Sequence, residues 1–314
     1  MTKNNKLAHM TGSLFFLLLV LTGTAVAQAV FGNMTGTVTD PSGAPIPDLV
    51  VSIQDLERGI SYESKTNASG NFTQTHLISG RYQVHLAAPG FAEFTTEAVV
   101  QIDSTARVDI QLQLGTTESR VIVNVDASIM KTERADVSTT LTSQEIGKLP
   151  ILDRNLFNLM IALPGTARPN TVGAVSLAED QQGDPQLQVN GQQGYSNGFL
   201  LDGTENHSNT LGIAVVNPNP DTLEEFKFTT SNYDAEFGNV SGALLQATTK
   251  SGTNSLHGSA YEYFRNDIMN AADPFSGINP PIRWNQFGGT LGGPIKKDKL
   301  FAFFKKKFEC SENK

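Results

Sequence analysis

Histidines are the side chains of this chain that are best suited to bind a metal or to transfer a proton. Beyond residue 27 they lack the spacing of a zinc motif such as H-E-x-x-H or H-x-x-E. A metal-dependent hydrolase site is therefore not encoded, and we predict no catalytic residue, no metal ligand and no cofactor. These histidines are His76, His85, His207 and His257.

Two further segments have the residue types of a binding loop. Residues 202–206 (DGTEN) are rich in side-chain oxygen atoms but lack the twelve-residue ligand spacing and terminal Glu of a calcium loop. A turn after a strand is the preferred interpretation. Residues 238–251 suggest a phosphate loop, but no G-x-x-x-x-G-K-[ST] can be placed there.

The amino-acid composition indicates which class of protein carries these residues. The 314 residues include 28 Gly and 14 Pro, which predicts many turns, and only 17% are charged. A surface built from uncharged polar residues is typical of an exported β-rich protein. The net charge of −8 argues against nucleic acid as a partner. The single Cys310 excludes an intramolecular disulfide.

The N-terminus predicts export through a cleavable signal peptide. Lys3 and Lys6 precede the apolar stretch Ser13–Leu21, and Ala25–Ala27 form an A-x-A cleavage site, so residues 1–27 are the signal peptide. A membrane anchor is the alternative, but the apolar stretch is shorter than the roughly 20 residues that a spanning helix needs. No later stretch is apolar enough for such a helix, so any membrane insertion must use strands.

Short alternating runs separated by turn signals fill residues 32–114, which predicts a β-sandwich. The sequence resembles the carboxypeptidase regulatory-like domain, a transthyretin-like sandwich of seven strands without catalytic residues of its own. The resemblance rests on GTVTD at 36–40, TNASGNF at 66–72, GRYQV at 80–84 and PGF at 89–91. The predicted strands are 35–39, 49–54, 60–65, 71–75, 82–87 and 107–114.

The segment from 116 to 250 predicts a small α+β domain. Residues 142–145 (TSQE) form a capping box that opens a helix before Pro150, and a second helix is expected over 154–162. We expect a further short helix around Leu223. Strands are expected at 186–189, 199–201, 226–230 and 243–249.

A longer succession of motifs resembles the TonB-dependent receptors of the Oar-like branch. These bacterial outer-membrane proteins have a regulatory-like domain, a plug and a large barrel. The resemblance implies a sandwich over 28–115, a plug over 116–250 and the start of an outer-membrane β-barrel over 251–314. The motifs include NGFLLDG at 197–203, EEFK at 224–227, YDAEFG at 233–238, TKSGTN at 249–254, YEYFRND at 261–267 and QFGGTLGGPI at 286–295.

The resemblance also implies two sets of functional residues. Glu118–Ala127, with Glu118, Val121, Val123 and Val125, is the candidate segment that pairs with the periplasmic energy transducer TonB. An ordinary first strand of the next domain is the alternative. Polar plug loops at 170–185 and 203–211, with the adjoining turn at 202, would face an external ligand. The candidates there are Asp202, Glu205, Asn206 and His207.

A complete barrel does not fit in this chain, because the barrels of such transporters close with about 22 strands. The residues after Lys250 hold three strand candidates, at 256–264, 286–291 and 300–304. We therefore expect a C-terminally truncated receptor that is not transport-competent as this chain. The complete receptor would sit in outer-membrane lipid and take up a large solute, with carbohydrates and oligopeptides as candidates. The alternative is a secreted or periplasmic soluble binding or adhesion module; the truncated product would be periplasmic.

Overall fold

The chain is mainly β, as expected, and is a sandwich followed by a plug-like α+β unit and an open sheet. The computed structural model describes residues 31–115, 120–123, 135–149, 151, 154–167, 187–208, 212–272, 277, 279, 281 and 283–312. The predicted signal peptide and the loop 170–185 lie outside the described residues. Within the described ranges, every helix is too short or too polar to cross a membrane.

The sandwich packs two sheets around one apolar core. The first strand alternates buried and half-buried positions, and its buried face includes Met34 and Val38. Gly36 lies on the same face, where an added Cβ would meet the Val108 carbonyl oxygen, so only glycine fits there. The strands are β1 Phe31–Thr39, β2 Val50–Asp55, β3 Ser61–Lys65, β4 Asn71–Ile78, β5 Gly80–Leu86, β6 Glu93–Val100, β7 Thr105–Arg107, β8 Ile110–Gln111 and β9 Arg120–Val123.

One sheet of the sandwich has the order β4-β1-β7, with β8 also paired to β1, and the other has the order β3-β2-β5-β6-β9. The predicted strand 107–114 is largely absent: β7 ends at Arg107 and β8 covers only Ile110–Gln111, because the chain pairs with β1 in two separate places. The sequence prediction missed β6. This strand has a buried pair of adjacent threonines, Thr95 and Thr96, that weakens the alternation on which the prediction depends.

A mixed five-stranded sheet forms the second unit, in the order β10-β17-β18-β13-β14. The capping box is confirmed: the Glu145 N–H donates to Thr142 Oγ1, and Thr142 N–H donates back to the Glu145 carboxylate. The elements are β10 Val137–Thr142, α1 Ser143–Lys148, a 3-10 helix Leu156–Ala162, β11 Thr166–Ala167, β12 Gln188–Val189, β13 Gly198–Leu201, β14 Thr204–Glu205, β15 His207–Ser208, β16 Ile213–Ala214, β17 Leu223–Ser231 and β18 Leu244–Thr249.

The expected helix around Leu223 is wrong. Pro220–Thr222 form one 3-10 turn, and Leu223 is the first residue of β17. Asn219 caps this turn by accepting the N–H of Asp221. Phe226 and Phe228 then alternate into the core of the unit, which favours a strand over a helix.

Three long strands follow and pair as an antiparallel meander: β19 His257–Asn266, β20 Arg283–Lys296 and β21 Leu300–Glu312. β20 and β21 contain the predicted strands 286–291 and 300–304, and β19 covers the predicted strand 256–264 except for its first residue; all three continue further towards the C-terminus. Among the described residues they form an open sheet rather than a closed barrel. One face carries exposed apolar side chains, among them Phe264, Phe287, Leu291, Phe304 and Phe308.

Candidate functional site

The candidate transducer-binding segment is described only over β9. These residues pair in parallel with β6, with Phe94 opposite Val121 and Thr96 opposite Val123. β9 is the last strand of its sheet order, so the structure extends the sandwich by one edge strand there. Glu118 and Val125 lie outside the described residues. The assignment of this segment to a transducer stays a prediction.

Two of the four predicted ligand-facing residues are used inside the unit. Asp202 and Gly203 both have positive φ and form the two-residue hairpin turn between β13 and β14, so the turn after a strand is confirmed. The Asp202 carboxylate accepts the N–H and the hydroxyl of Thr249 at 2.7 and 2.9 Å. Asn206 is buried and exchanges two 2.8 Å hydrogen bonds with the backbone of Val216.

Glu205 and His207, the other two, line a cleft of 390 Å³ that also includes Glu236. The His207 ring stacks on Phe199 with ring centroids 5.9 Å apart. Burial lowers the pKa of His207, although the nearby Glu205 carboxylate acts in the opposite direction. The cleft therefore offers two carboxylates and an imidazole whose pKa is lowered by burial.

The first of the long strands is held on the plug-like unit by an ionic and aromatic contact. The Arg154 guanidinium lies 2.6 Å from the Asp221 carboxylate and 4.0 Å from the centre of the Tyr263 ring. The Tyr263 hydroxyl donates to Asp221 at 3.0 Å. Two residues earlier on the same face of β19, the Tyr261 hydroxyl accepts from the Asn219 amide at 2.6 Å.

The sandwich contacts the same unit through a buried charged contact on β17. The Lys227 ammonium lies 2.8 Å from the Asp103 carboxylate and 3.4 Å from that of Asp136, and it donates to the Asp103 carbonyl. Two residues away, the Glu225 carboxylate accepts the Ile102 N–H at 2.8 Å. Burial raises the pKa of Glu225 to about 7, although the hydrogen bond from Ile102 opposes this shift.

A second contact joins the sandwich to the start of the open sheet. The Arg58 guanidinium, itself paired with Asp55, donates to the Ser251 hydroxyl at 2.9 Å. The Asn254 amide donates to the Arg58 carbonyl at 2.7 Å and to the Asp298 carboxylate at 2.7 Å. The turn after β2 is therefore held against the loop before β19, which in turn contacts the turn between β20 and β21.

Sequence reasoning missed Arg154, Asp221 and Lys227 as contact residues. Each lies inside or next to a motif or element predicted above, but the sequence pattern does not indicate which distant residue its side chain contacts. A signal was present in β17, where Glu225 and Lys227 alternate with Phe226 and Phe228. The polar face of such a strand is expected to be solvated, and here it is covered by the sandwich.

Comparison with known protein families identifies the class at both ends of the chain. Residues 33–113 match the carboxypeptidase regulatory-like domain, and residues 248–308 match an outer membrane beta barrel domain. These two matches agree with the resemblances found in the sequence at the two ends of the chain.

The TonB-dependent transporter Oar of Myxococcus xanthus is a relative with 27% identity over 313 residues, covering 95% of this chain and 28% of Oar. The predicted resemblance to TonB-dependent receptors of the Oar-like branch is thus confirmed, and the chain spans about a quarter of that relative's length.

Solved receptor structures are also similar to parts of this chain. The siderophore receptor PirA from Acinetobacter baumannii is 21% identical, over 56% of this chain and 24% of PirA, with a TM-score of 0.43. A variant of the ferric enterobactin receptor from Pseudomonas aeruginosa is 15% identical, over 58% of this chain and 26% of that receptor, also with a TM-score of 0.43.

Proposed function

We propose that this chain is the N-terminal portion of a TonB-dependent outer-membrane receptor for the energised uptake of a large solute. The observation that carries the proposal is the contact between Arg154, Asp221 and Tyr263. It fixes the first long strand on the plug-like unit by the strand's polar face. The exposed side chains of Phe264, Phe287, Leu291, Phe304 and Phe308 lie on the opposite face, where lipid would be.

The proposed domain arrangement follows the expected boundaries, with the sandwich over 28–115, the plug over 116–250 and the barrel beginning at 251. Each unit then has one task. The sandwich is an accessory at the periplasmic side, the plug closes the barrel lumen, and the strands insert in lipid. The function is transport rather than catalysis, in agreement with the naming of the curated relative as a transporter.

The proposed partner is a TonB-type periplasmic transducer that adds an extended strand to the contact segment. β9 supports this proposal because it is already extended and is the outermost strand of its sheet. A strand at the edge of a sheet presents N–H and C=O groups to a second chain. Residues Arg120–Val123 would provide that edge.

The solute is proposed by its class only. The cleft beside Glu205 and His207 also carries the Glu236 carboxylate. Hydroxyl and amide groups of a carbohydrate or an oligopeptide can donate hydrogen bonds to carboxylates. These two solute classes are the candidates.

Fractionation of cells that express the gene with its downstream reading frame tests the localisation. We expect the product in the outer membrane, resistant to extraction by high salt and released by detergent. Recovery of a folded, protease-resistant chain in the soluble periplasm would contradict the receptor proposal. That outcome would favour a soluble binding module.

Proline substitutions in β9 test the transducer partner. Neighbouring residues of a strand point their N–H groups to opposite edges, so Val121→Pro and Ile122→Pro remove donors from different edges. Binding of the purified transducer domain should be lost in the variant that removes the outward donor. Val121→Ala and Ile122→Ala are the matched controls, which shorten the side chain and keep the backbone donor. Equal binding by all four variants would contradict the partner assignment.

A further inference from the structure

We propose that Lys227 is the positioning residue that holds both the sandwich and the first residues of the plug on strand β17. In the receptor proposed above, tension applied to the segment between sandwich and plug would then be resisted at this side chain before it reaches the strand hydrogen bonds of β10. The claim about position stands on the contacts alone, and the claim about tension rests on the proposed function.

Lys227 is a buried lysine that lies between two carboxylates, unlike a solvated surface lysine. Its side chain is 2% exposed, and the carboxylates of Asp103 and Asp136 are 7% and 4% exposed. Taking an ammonium out of water costs several kcal/mol unless it is paired and hydrogen-bonded. Lys227 meets that condition only because Asp103 reaches it from the sandwich and Asp136 from the start of the plug.

Two further carboxylates near Asp103 make a neighbouring cation more favourable. Carboxylate oxygens of Asp103, Asp234 and Glu236 all lie within 4.8 Å of one another. Asp103 belongs to the sandwich, whereas the other two belong to the loop after β17. Like charges this close repel each other. The ammonium at 2.8 Å from Asp103 offsets that repulsion and so favours the docked sandwich.

The sandwich loop that carries Asp103 is fixed before it reaches Lys227. Asp103 has a φ of 45°, in the left-handed region that Asp tolerates better than most residues. Its N–H donates to the Phe31 carbonyl at 3.2 Å, and the next residue, Ser104, accepts from the Asn33 N–H at 2.8 Å. Both partners are on β1. These two hydrogen bonds therefore fix Asp103 relative to β1, and Asp103 in turn contacts Lys227.

Asp136 connects Lys227 to the other end of the same chain segment. It directly precedes β10, an edge strand that pairs with β17 from Val137 opposite Ser231 to Thr142 opposite Glu225. Tension that arrives from the side of β9 reaches Asp136 before it reaches the hydrogen bonds of β10. An edge strand that is pulled from one end loses its bonds one after another, so a clamp at that end resists the first step.

Hydrogen exchange of the 314-residue chain in detergent micelles tests the inference. Lys227→Met keeps the length of the side chain and removes the charge, so the carboxylates of Asp103 and Asp136 lose the ammonium that contacts both of them. We expect amide exchange at Ile102 and along β10 to become at least about tenfold faster, with β4 and β18 unchanged. Lys148→Met is the matched control, since Lys148 is exposed at the end of α1. Lys227→Arg should restore most of the protection.

Two milder variants keep the test decisive if Lys227→Met unfolds the whole chain. Asp103→Asn should speed exchange at Ile102 and spare β10, whereas Asp136→Asn should speed exchange in β10 and spare Ile102. A lysine that only fills space would not give this separation. If both variants leave both regions protected, or if Lys148→Met has the same effect as Lys227→Met, the inference is overturned.

The claim about tension is tested by pulling single molecules between residue 123 and the C-terminus, each carrying an engineered handle. We expect the first opening event to need less force in Lys227→Met than in Lys148→Met, and equal forces would overturn this claim. Neither measurement includes the transducer. A failure to bind the transducer would therefore count against the proposed function and leave the assignment of Lys227 intact.

Discussion

Replacing Glu225 with glutamine should remove a stability term that depends on pH. The Glu225 carboxyl is buried on β17, accepts the Ile102 N–H and has Glu224 beside it. Burial raises its pKa from 4.5 to about 7, so the folded chain binds this proton more tightly than the unfolded chain does. For an acid shifted in this direction, stability is highest below pH 4.5, falls as the pH rises through 7 and is constant above.

The size of the effect follows from the shift. A shift of one pKa unit corresponds to about 1.4 kcal/mol, so the change from 4.5 to about 7 amounts to about 3 kcal/mol, or about two orders of magnitude in the opening equilibrium. Burial also raises the pKa of Glu224, as does the charge of Glu57, so a smaller slope of the same sign should remain in the variant. The prediction therefore concerns the difference between the Glu225→Gln variant and the natural chain.

Hydrogen exchange of the β17 amides between pH 4.5 and 8, corrected for the intrinsic rate, measures this difference. The natural chain should lose protection as the pH rises, and Glu225→Gln should lose less, so the variant becomes the more stable chain above pH 7. Glu145→Gln is the control that should leave the slope unchanged, because hydrogen bonds from Thr142 lower the pKa of Glu145, so this carboxyl titrates below the pH range of the experiment. Equal slopes for Glu225→Gln and the natural chain would refute the reasoning, as would a natural chain that gains protection with rising pH.

Three further predictions concern single contacts. Arg154→Met leaves the Asp221 carboxylate without its ion pair and should destabilise the contact between plug and β19 by roughly 3 kcal/mol, seen as faster exchange in β19. Asn206→Ala leaves the N–H and C=O of Val216 unsatisfied and should cost about 2 kcal/mol in urea unfolding, whereas a loss below about 0.5 kcal/mol would contradict a structural role. Thr142→Ala removes the helix cap and should cost about 1 kcal/mol by the same measurement; Thr142→Ser should retain most of it.

Local chemistry explains which parts of the fold could be predicted from the sequence. The capping box at Thr142 and the turn at Asp202 each depend on residues within four positions, and both were predicted. The alternation of β19 also places Tyr261 and Tyr263 on one face with little outside information. Where the pattern is weak, as at Thr95 and Thr96, the strand was missed.

The contact residues could not be predicted because their partners are distant in the chain. Lys227 meets Asp103 across 124 residues, and Glu225 meets Ile102 across 123 residues. The strand pattern predicts that their side chains share one face of β17, but it does not predict what covers that face. A charged face is ordinarily solvated, so burial of this one depends on a surface that only the folded sandwich provides.

The two faces of β19 carry different kinds of side chain and therefore need different surroundings. Tyr261 and Tyr263 reach Asn219, Asp221 and Arg154, so both tyrosine hydroxyl groups have polar partners within the chain. The face that carries Phe264 is 59% exposed at that residue and continues across the sheet in further apolar side chains. Water disfavours such a face, whereas hydrocarbon accepts it and cannot satisfy polar groups. In the receptor proposed above, lipid on the side of Phe264 and the plug on the side of the tyrosines would therefore suit the two faces of this strand.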